Sequence, residues 1–266
     1  MSNVLILGGS GLLGSEILKL SNDEFTFIKV ERDENNFAKL VERLNPTAIV
    51  NCVASLPNAD ELESLEINFN YPLRRVQEII QFDSLNVKWI QVSSYFELQI
   101  IFGREDNYSK HKSLLREKLS KMASGGTIEL TSLFMPYLAG FGERSTRIVP
   151  TLLNTQRANG DIILSSGTQY LPILTSIDAA KAVYFSLKTS QLECAAIPVW
   201  YGTIKELVSL ASNFTDVSRI VFDAQLKASD ANYPKIEFPA IVNNWKPDIT
   251  LEEYFRRSTS PLNKIV

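Results

Sequence analysis

A glycine turn near the N-terminus constrains the fold of this chain more than any other feature of its sequence. Residues 3–7 form a short run of branched apolar side chains, which predicts a buried parallel strand. Gly8-x-x-Gly11-x-x-Gly14 follows directly, and a helical pattern and a second apolar run at residues 25–30 come next. A strand, a glycine turn, a helix and a strand within about 30 residues indicate a βαβ unit.

The alternation of strand and helix patterns continues beyond this unit. We predict helices at residues 37–44, 72–81 and 107–122, and strands at residues 48–53, 87–92 and 128–134. Strands that alternate with helices favour a parallel sheet with both faces covered. The predicted fold class is therefore α/β, with a Rossmann-type doubly wound parallel sheet.

After residue 142 the pattern loosens and predicts a smaller, mixed C-terminal lobe for the substrate. We predict helices at 148–157, 177–187 and 204–211, strands at 162–164 and 196–201, and a mostly irregular tail. The Rossmann lobe would comprise residues 1–142 and 175–200. The substrate lobe would comprise residues 143–174 and 201–266, interleaved with the first in one structural unit.

Composition excludes several classes of function. The 27 basic and 30 acidic residues leave a net charge of −3, whereas nucleic-acid binding needs clustered cations, so we expect no such partner. No apolar run approaches the roughly 20 residues of a membrane span, so we expect no membrane contact. Cys52, Cys194 and the single His cannot build a disulfide framework or a metal cage. With no signal peptide, we expect a reducing, cytoplasmic compartment and no metal.

The glycine turn stands where a dinucleotide cofactor needs it. A pyrophosphate must approach backbone N–H groups at a helix N-terminus, and side chains would block that approach. The alternative is a tight turn that binds nothing. On the first interpretation, the cofactor contacts Gly8, Ser10, Gly11, Leu12, Leu13 and Gly14.

Further segments stand in the order in which a known superfamily has them. They are Asn51-Cys52-Val53-Ala54-Ser55, Val92-Ser93-Ser94, Tyr108-x-x-x-Lys112, Leu133-Phe134-Met135-Pro136-Tyr137, Arg147-Ile148-Val149-Pro150, Gly167-Thr168-Gln169, Ile177-Asp178-Ala179-Ala180 and Asn244-Trp245-Lys246-Pro247 with Leu251-Glu252-Glu253. Together with the glycine turn, they resemble the extended short-chain dehydrogenase/reductase superfamily, the group of nucleotide-sugar epimerases, dehydratases and reductases. The resemblance covers most of the chain. The short connection after Arg32 resembles the compressed third strand of the smaller 4-keto-sugar reductases.

The resemblance implies a catalytic group of Ser94, Tyr108 and Lys112. Tyr108 would be the acid/base, Lys112 would lower its pKa and bind the nicotinamide ribose, and Ser94 would hold the substrate oxygen. The remaining implied cofactor contacts are Cys52, Val53, Ala54 and Met135. The candidate substrate residues are Ser94, Tyr95, Arg144 and Arg147, with Arg157 as a further cation. The Tyr-x-x-x-Lys spacing also occurs at Tyr184/Lys188 and Tyr201/Lys205, so position rather than spacing selects Tyr108.

The end of the second predicted strand should select the cofactor. An acidic residue there binds the ribose 2′-OH of NAD, and a basic residue accommodates the 2′-phosphate of NADP. Glu31 suits the first role and Arg32 the second. Counting from the glycines as in the family favours Arg32 and NADP, with Glu31 and NAD as the alternative.

Two departures from the family narrow the function. Tyr95 and Phe96 replace the Asp-Glu pair of dehydratases, with Glu97 one position late, and Leu171-Pro172-Ile173 replaces an Arg-Asp-Phe segment that binds the substrate pyrophosphate. We therefore expect NADPH-dependent reduction of a 4-keto-6-deoxy nucleotide sugar. An epimerase that retains NAD, and a non-catalytic NADP-sensing or assembly protein, are the alternatives. The resemblance also implies a homodimer through the Tyr108 helix and the Pro72 helix.

Overall fold

A computed structural model describes residues 1–81, 87–157, 160–226, 242 and 245–260. Its strands are β1 (Ser2–Leu7), β2 (Phe25–Val30), β3 (Ala48–Asn51), β4 (Lys88–Ser94), β5 (Glu129–Met135), β6 (Tyr137–Ala139), β7 (Ile162–Leu164), β8 (Tyr170–Thr175), β9 (Glu193–Ala195), β10 (Trp200–Thr203) and β11 (Ile220–Phe222). Its helices are α1 (Leu12–Leu18), α2 (Phe37–Leu44), α3 (Glu61–Leu65), α4 (Tyr71–Ile79), α5 (Asn107–Ser124), α6 (Ile148–Leu153), α7 (Ser176–Ser186), α8 (Ile204–Ala211) and α9 (Leu251–Thr259). A π-helical segment, Glu66–Asn70, joins α3 to α4, and Tyr95–Phe102 and Thr155–Arg157 are 3-10 helical.

The central sheet has six parallel strands in the order β2-β1-β3-β4-β5-β9. Strand β2 lies at its edge, because the short connection through α2 to β3 holds no further strand among the described residues. This agrees with the compression expected after Arg32. The sheet confirms the predicted fold class.

Side chains of β1 show why helices cover both faces of the sheet. Val4 and Ile6 pack into one core with helices α1 and α7, while Leu5 and Leu7 pack into another with α2, α4 and α5. Successive side chains of a strand point to opposite faces, so a strand that is apolar at every position is buried on both. The doubly wound architecture follows from that run.

A second region has smaller sheets and its own core. Strands β10, β8 and β6 form one sheet and β11 and β7 another, and β8 is antiparallel to β10 but parallel to β6. Residues from α6, α8 and α9 pack against them in a third core. The division into two interleaved lobes at the stated residues stays a prediction.

Several element predictions need correction. The helix predicted at 72–81 begins much earlier, since α3, the π-helical segment and α4 run on from Glu61. The strand predicted at 196–201 is wrong at residues 196–199, which connect β9 to β10, and only residues 200 and 201 are in a strand. The helix predicted at 148–157 ends at Leu153 before a 3-10 turn. The tail contains α9, whose Leu251 and Phe255 are buried in the third core, so amphipathic spacing outweighs its prolines. Asn244 of the C-terminal motif lies outside the described residues.

None of the helices in the described ranges is long and apolar enough to cross a membrane. In those same ranges, no three His, Cys, Asp or Glu side chains cluster to hold a metal ion. Cys52 and Cys194 are both free thiols.

Asn68, inside the π-helical segment, ties the long helix to the loop after β3. Its side chain accepts the backbone N–H of Ser55 at 3.0 Å and donates to the hydroxyls of Ser55 and Ser64 at 2.7 and 3.0 Å. His111 of α5 adds a 3.0 Å hydrogen bond to Ser64. A π-bulge changes the angular position of the residues within it, which lets Asn68 reach this loop.

Replacing Asn68 with Ala should destabilise the fold. The change leaves the buried Ser55 N–H without its partner and removes one hydrogen bond from each of the Ser55 and Ser64 hydroxyls, so we expect the free energy of unfolding to fall by about 2 kcal/mol in urea titrations. Asn36→Ala is the matched control, since Asn36 is exposed and its side chain makes no cap hydrogen bond. Equal stability of the two variants would contradict a structural role for the network.

Candidate active site

A cavity of about 800 Å³ lies at the carboxyl ends of β1, β3, β4 and β5, where an open parallel sheet binds its ligands. Many of the residues that the sequence nominated line it: Ser10, Gly11, Leu12, Leu13, Cys52, Ala54, Ser94, Tyr95, Tyr108, Lys112, Met135, Arg144 and Arg147. Five nominated residues do not line it: Gly8, Gly14, Glu31, Arg32 and Val53. The side chain of Arg157 lies outside the described part of the chain.

Gly8 and Gly14 do not line the cavity, but they determine the shape of the turn. Gly8 has φ +77°, and a Cβ there would lie 3.0 Å from the backbone of Cys52 and Val53. A Cβ on Gly14 would lie 2.7 Å from the Cα of Gly9 and would overlap the Gly8 carbonyl oxygen. Only glycine allows so close an approach of helix, turn and strand.

Helix α1 presents an uncapped N-terminus to the cavity. Its N-cap is Gly11, which offers no side-chain hydrogen bond, and its first turn has no acidic residue. Gly11, Leu12 and Leu13 all line the cavity. Unsatisfied backbone N–H groups at a helix N-terminus suit a phosphate group, so the turn fits a dinucleotide.

The loop after β2 holds the two candidate cofactor selectors. The Glu31 carboxylate pairs with Lys29 at 2.8 Å. The Arg32 side chain is exposed and makes no salt bridge within the described residues. Arg75, nearly buried beneath the loop, donates to the carbonyl oxygens of Arg32 and Glu34 at 3.5 and 2.9 Å. The loop is therefore fixed from below, with a free guanidinium on its outer side.

Ser94, Tyr108 and Lys112 meet at one side of the cavity. Ser94 ends β4, and Tyr108 and Lys112 lie one helical turn apart near the start of α5. The Lys112 ammonium lies 5.7 Å from the centre of the Tyr108 ring and donates to the Val92 carbonyl oxygen at 2.7 Å. The three groups therefore lie together on the cavity wall, and the Tyr108 phenol is hydrogen-bonded with Ser94.

Burial dominates the pKa of Tyr108. It raises the pKa of the phenol to about 12, and a hydrogen bond with Ser94 opposes that rise only in part. The lowering expected from Lys112 stays a prediction for the protein with its dinucleotide; in the structure the ammonium lies over the ring. Burial also lowers the pKa of Lys112. Tyr108 is therefore held in its protonated form.

Glu97 is the residue next to this group that the sequence did not nominate. Its side chain has no solvent exposure, and its Oε1 accepts the backbone N–H of Ser94 at 2.7 Å. Burial raises the pKa of the Glu97 carboxyl to about 7. The signal in the sequence was its position, one residue after the place where dehydratases have their Asp-Glu pair.

Two arginines line the end of the cavity near α6, and only one of them is described with an acidic partner. The Arg147 guanidinium stacks 4.0 Å over the Tyr137 ring and lies 3.2 Å from the Glu143 carboxylate. The Tyr137 hydroxyl donates to the same carboxylate. Arg144 is exposed at the cavity mouth. Arg147 therefore has an acidic partner already. The sequence did not reveal this pair, because Glu143 and Arg147 lie in the turn before α6 and not on a helix face.

Tyr95 joins the two regions at the cavity. Its side chain is buried, and its hydroxyl lies 2.8 Å from that of Tyr201 on β10. The other repeats of the Tyr-x-x-x-Lys spacing lie elsewhere: Tyr184 and Lys188 both bind the exposed carboxylate of Glu24 at 2.6 Å. Among the three pairs, only Tyr108 and Lys112 line the cavity.

Comparisons with known proteins identify the fold. No protein-family model matches the sequence, and no curated protein matches it. Among solved structures, the chain is similar to UDP-N-acetylglucosamine 4-epimerase from Methanobrevibacter ruminantium M1 in complex with UDP-N-acetylmuramic acid. That match has a TM-score of 0.78 and 17% identity over 97% of each chain.

Two further structures agree over similar lengths. RMD from Pseudomonas aeruginosa, complexed with NADPH, matches with a TM-score of 0.77 and 14% identity over 100% of both chains. A dTDP-glucose 4,6-dehydratase from Bacillus anthracis in complex with NAD matches with a TM-score of 0.76 and 14% identity, over 97% of this chain and 96% of that one. The chain therefore has the Rossmann-type fold of these structures, as its alternating strands and helices predict.

Proposed function

We propose that this chain is an NAD(P)-dependent oxidoreductase of nucleotide-linked sugars, and that it reduces a 4-keto-6-deoxy sugar with NADPH. One observation carries the proposal: the Ser94, Tyr108 and Lys112 group and the uncapped glycine turn lie on one cavity. The nucleotide-sugar enzymes with the same fold support the substrate class, and RMD, a further structure of this fold that is complexed with NADPH, supports the cofactor class.

The chain's own residues suit a cofactor and a carbonyl substrate. Gly11, Leu12 and Leu13 would hold the pyrophosphate, and Lys112 would hold the nicotinamide ribose. When bound, the reduced nicotinamide supplies a hydride to the carbonyl carbon. Ser94 would hold the carbonyl oxygen by a hydrogen bond, and Tyr108 would give that oxygen its phenolic proton.

The catalytic group supplies the proton that a reduction needs. A reductase needs a proton donor at the start of its reaction, and the Tyr108 phenol, whose pKa is not lowered, is protonated at neutral pH and can act as one. Tyr95 and Phe96 cannot act as a dehydratase acid and base.

Tyr108→Phe should abolish most of the activity. With NADPH and a panel of 4-keto-6-deoxy nucleotide sugars, we expect kcat/KM for NADPH consumption to fall by about 10²- to 10⁴-fold, because the proton donor is lost. Tyr184→Phe, a surface tyrosine at the same spacing from a lysine, is the control and should retain activity. Unchanged turnover in Tyr108→Phe would refute the assigned role, and no turnover of any sugar by the unmodified protein would favour the non-catalytic alternative.

We further propose NADPH as the preferred cofactor. Arg32 is exposed and unpaired within the described residues, while Glu31 is engaged with Lys29. A free guanidinium is therefore available to a 2′-phosphate, and the carboxylate that would bind a ribose 2′-OH has a partner already. Retention of NAD through Glu31 is the epimerase alternative.

Calorimetric titration with NADPH and NADH tests this preference. Arg32→Gln should weaken NADPH binding by about 10-fold or more, because a charge-assisted hydrogen bond to phosphate is lost, and should leave NADH binding unchanged. Arg43→Gln, an exposed arginine at the end of α2, is the matched control. Tighter binding of NADH than of NADPH by the unmodified protein, or purification with NAD bound, would shift the assignment to Glu31 and the epimerase.

We also propose a homodimer through the Tyr108 helix, α5, and the long helix that includes α3 and α4. Helices α3 and α5 pack together through the hydrogen bond of His111 with Ser64. Each presents a large apolar side chain to solvent: Leu62 is 79% and Leu114 is 44% exposed. Apolar side chains exposed on packed helices suit an interface.

Light scattering during gel filtration tests the dimer. We expect the unmodified chain to elute at twice its mass and Leu114→Glu to elute as a monomer, because a buried charge without a partner opposes association. Ile163→Glu places the same charge at a 59% exposed position of β7 and should not change the mass. A monomeric unmodified protein would rule the interface out.

A further inference from the structure

Glu97 is more deeply buried than its local structural role requires. Ser94 is the N-cap of the 3-10 segment Tyr95–Phe102, and Glu97 closes the capping box by accepting the Ser94 N–H with Oε1. Such a box accepts Gln as well as Glu and needs only one side-chain oxygen. The second oxygen, Oε2, is buried without a hydrogen-bond partner. A buried carboxylate costs free energy that an amide would avoid.

Glu97 faces a row of three polar side chains on α5. Tyr108, Lys112 and Arg116 follow one another at four-residue spacing on α5 and so share one face of that helix. Glu97 faces this row from the 3-10 segment: its Oε2 lies 3.5 Å from Arg116 Nε, and its charge interacts with both Lys112 and Tyr108. On the far side, Arg116 pairs with Glu193 of β9 at 2.8 Å.

Charged and polar groups face Glu97 from three elements. Helix α5 contributes the Lys112 and Arg116 cations and the Tyr108 phenol, β4 contributes the Ser94 N–H, and β9 contributes the like charge of Glu193. Glu97 and Glu193 take opposite sides of Arg116, but Glu97 is fully buried, while the Glu193 side chain is 35% exposed. Of these two carboxyls, Glu97 is the one that raises the pKa of Tyr108. Among the other charges near the phenol, Asp106 raises that pKa and Arg147 lowers it.

We propose that Glu97 is a positioning residue that fixes Ser94 by its hydrogen bond and whose buried carboxylate, beside the α5 face that carries Tyr108, Lys112 and Arg116, acts electrostatically on both Tyr108 and Lys112. An anion disfavours the phenolate and favours the ammonium, so both effects have the same sign. The inference rests on the proposed reduction, in which Tyr108 must be a proton donor.

The protonation of Tyr108 can be followed without any substrate. The full chain is labelled with 3-fluorotyrosine, whose phenol ionises at lower pH than that of tyrosine, and the ¹⁹F signal of Tyr108 is assigned by its loss in Tyr108→Phe. In the unmodified protein we expect two steps with rising pH. A small step near pH 7 reports Glu97, whose pKa is about 7, and a large step at higher pH reports Tyr108 itself. The one His, His111, has its pKa lowered from the usual range, so it does not account for the step near pH 7.

Glu97→Gln keeps the acceptor for Ser94 and removes the charge. The small step should disappear, and the Tyr108 ionisation should move to lower pH by about half a unit or more. The basic limb of the pH profile of kcat/KM for reduction should move in the same direction, whereas a purely structural role would scale the profile without moving it. Glu193→Gln removes a charge from the same Arg116 and should retain both steps.

Two results would overturn the proposal: a Tyr108 signal without a step near pH 7, or the same Tyr108 ionisation in the unmodified protein and Glu97→Gln. If Glu97→Gln does not fold, as thermal unfolding would reveal, the step near pH 7 in the unmodified protein decides alone. Failure of the proposed function looks different. The two-step titration would persist while no 4-keto sugar consumes NADPH, so the electrostatic link would stand and its use in reduction would fall.

Discussion

The cavity depends on the parallel pairing of β4 with its two neighbours. Asn51 of β3 lies opposite Gln91, and their side chains form a buried hydrogen bond of 2.9 Å, while Ser94 lies opposite Met135 of β5. A slip of one residue would turn Ser94 to the other face of the sheet. It would also separate the two amides in a dry core, where unpaired polar groups are costly. The Asn51–Gln91 bond therefore fixes the register that brings Ser94 to the cavity.

The ionisation of Tyr108 depends on the buried charged side chains around it. Helix α5 brings two cations, Lys112 and Arg116, toward the same side as the Tyr108 phenol. Cations alone would favour the phenolate, which suits a base that removes protons. Glu97 offsets them, and burial keeps the phenol neutral. The ionisation of Tyr108 thus depends on its burial and on the charges around it as well as on the Tyr-x-x-x-Lys motif.

The sequence is sufficient to predict the order of elements and most residues of the cavity wall, because periodicity and strand ends determine both. The sequence could not predict how deeply each side chain is buried or which partners packing gives it. Arg147 has the residue type that a phosphate needs, yet tertiary packing seats Glu143 against it. Tyr108 has the expected position but a pKa raised to about 12, since desolvation depends on how many groups cover it. Asn68 acts from a π-helical segment, whose extra residue per turn leaves no mark in a pattern of apolar spacing.

The absent Arg-Asp-Phe segment has a physical explanation in the second region. Leu171 and Ile173 belong to β8, pair with β10, and are buried in the third core at 8% and 0% exposure. An arginine at either position would bury a guanidinium among apolar side chains without a partner, at a large cost in stability. For the nucleotide-linked sugar proposed above, the loop before α6 would supply a cation instead. Arg147 pairs with Glu143 in that loop, so the exposed Arg144 would be the better candidate of the two.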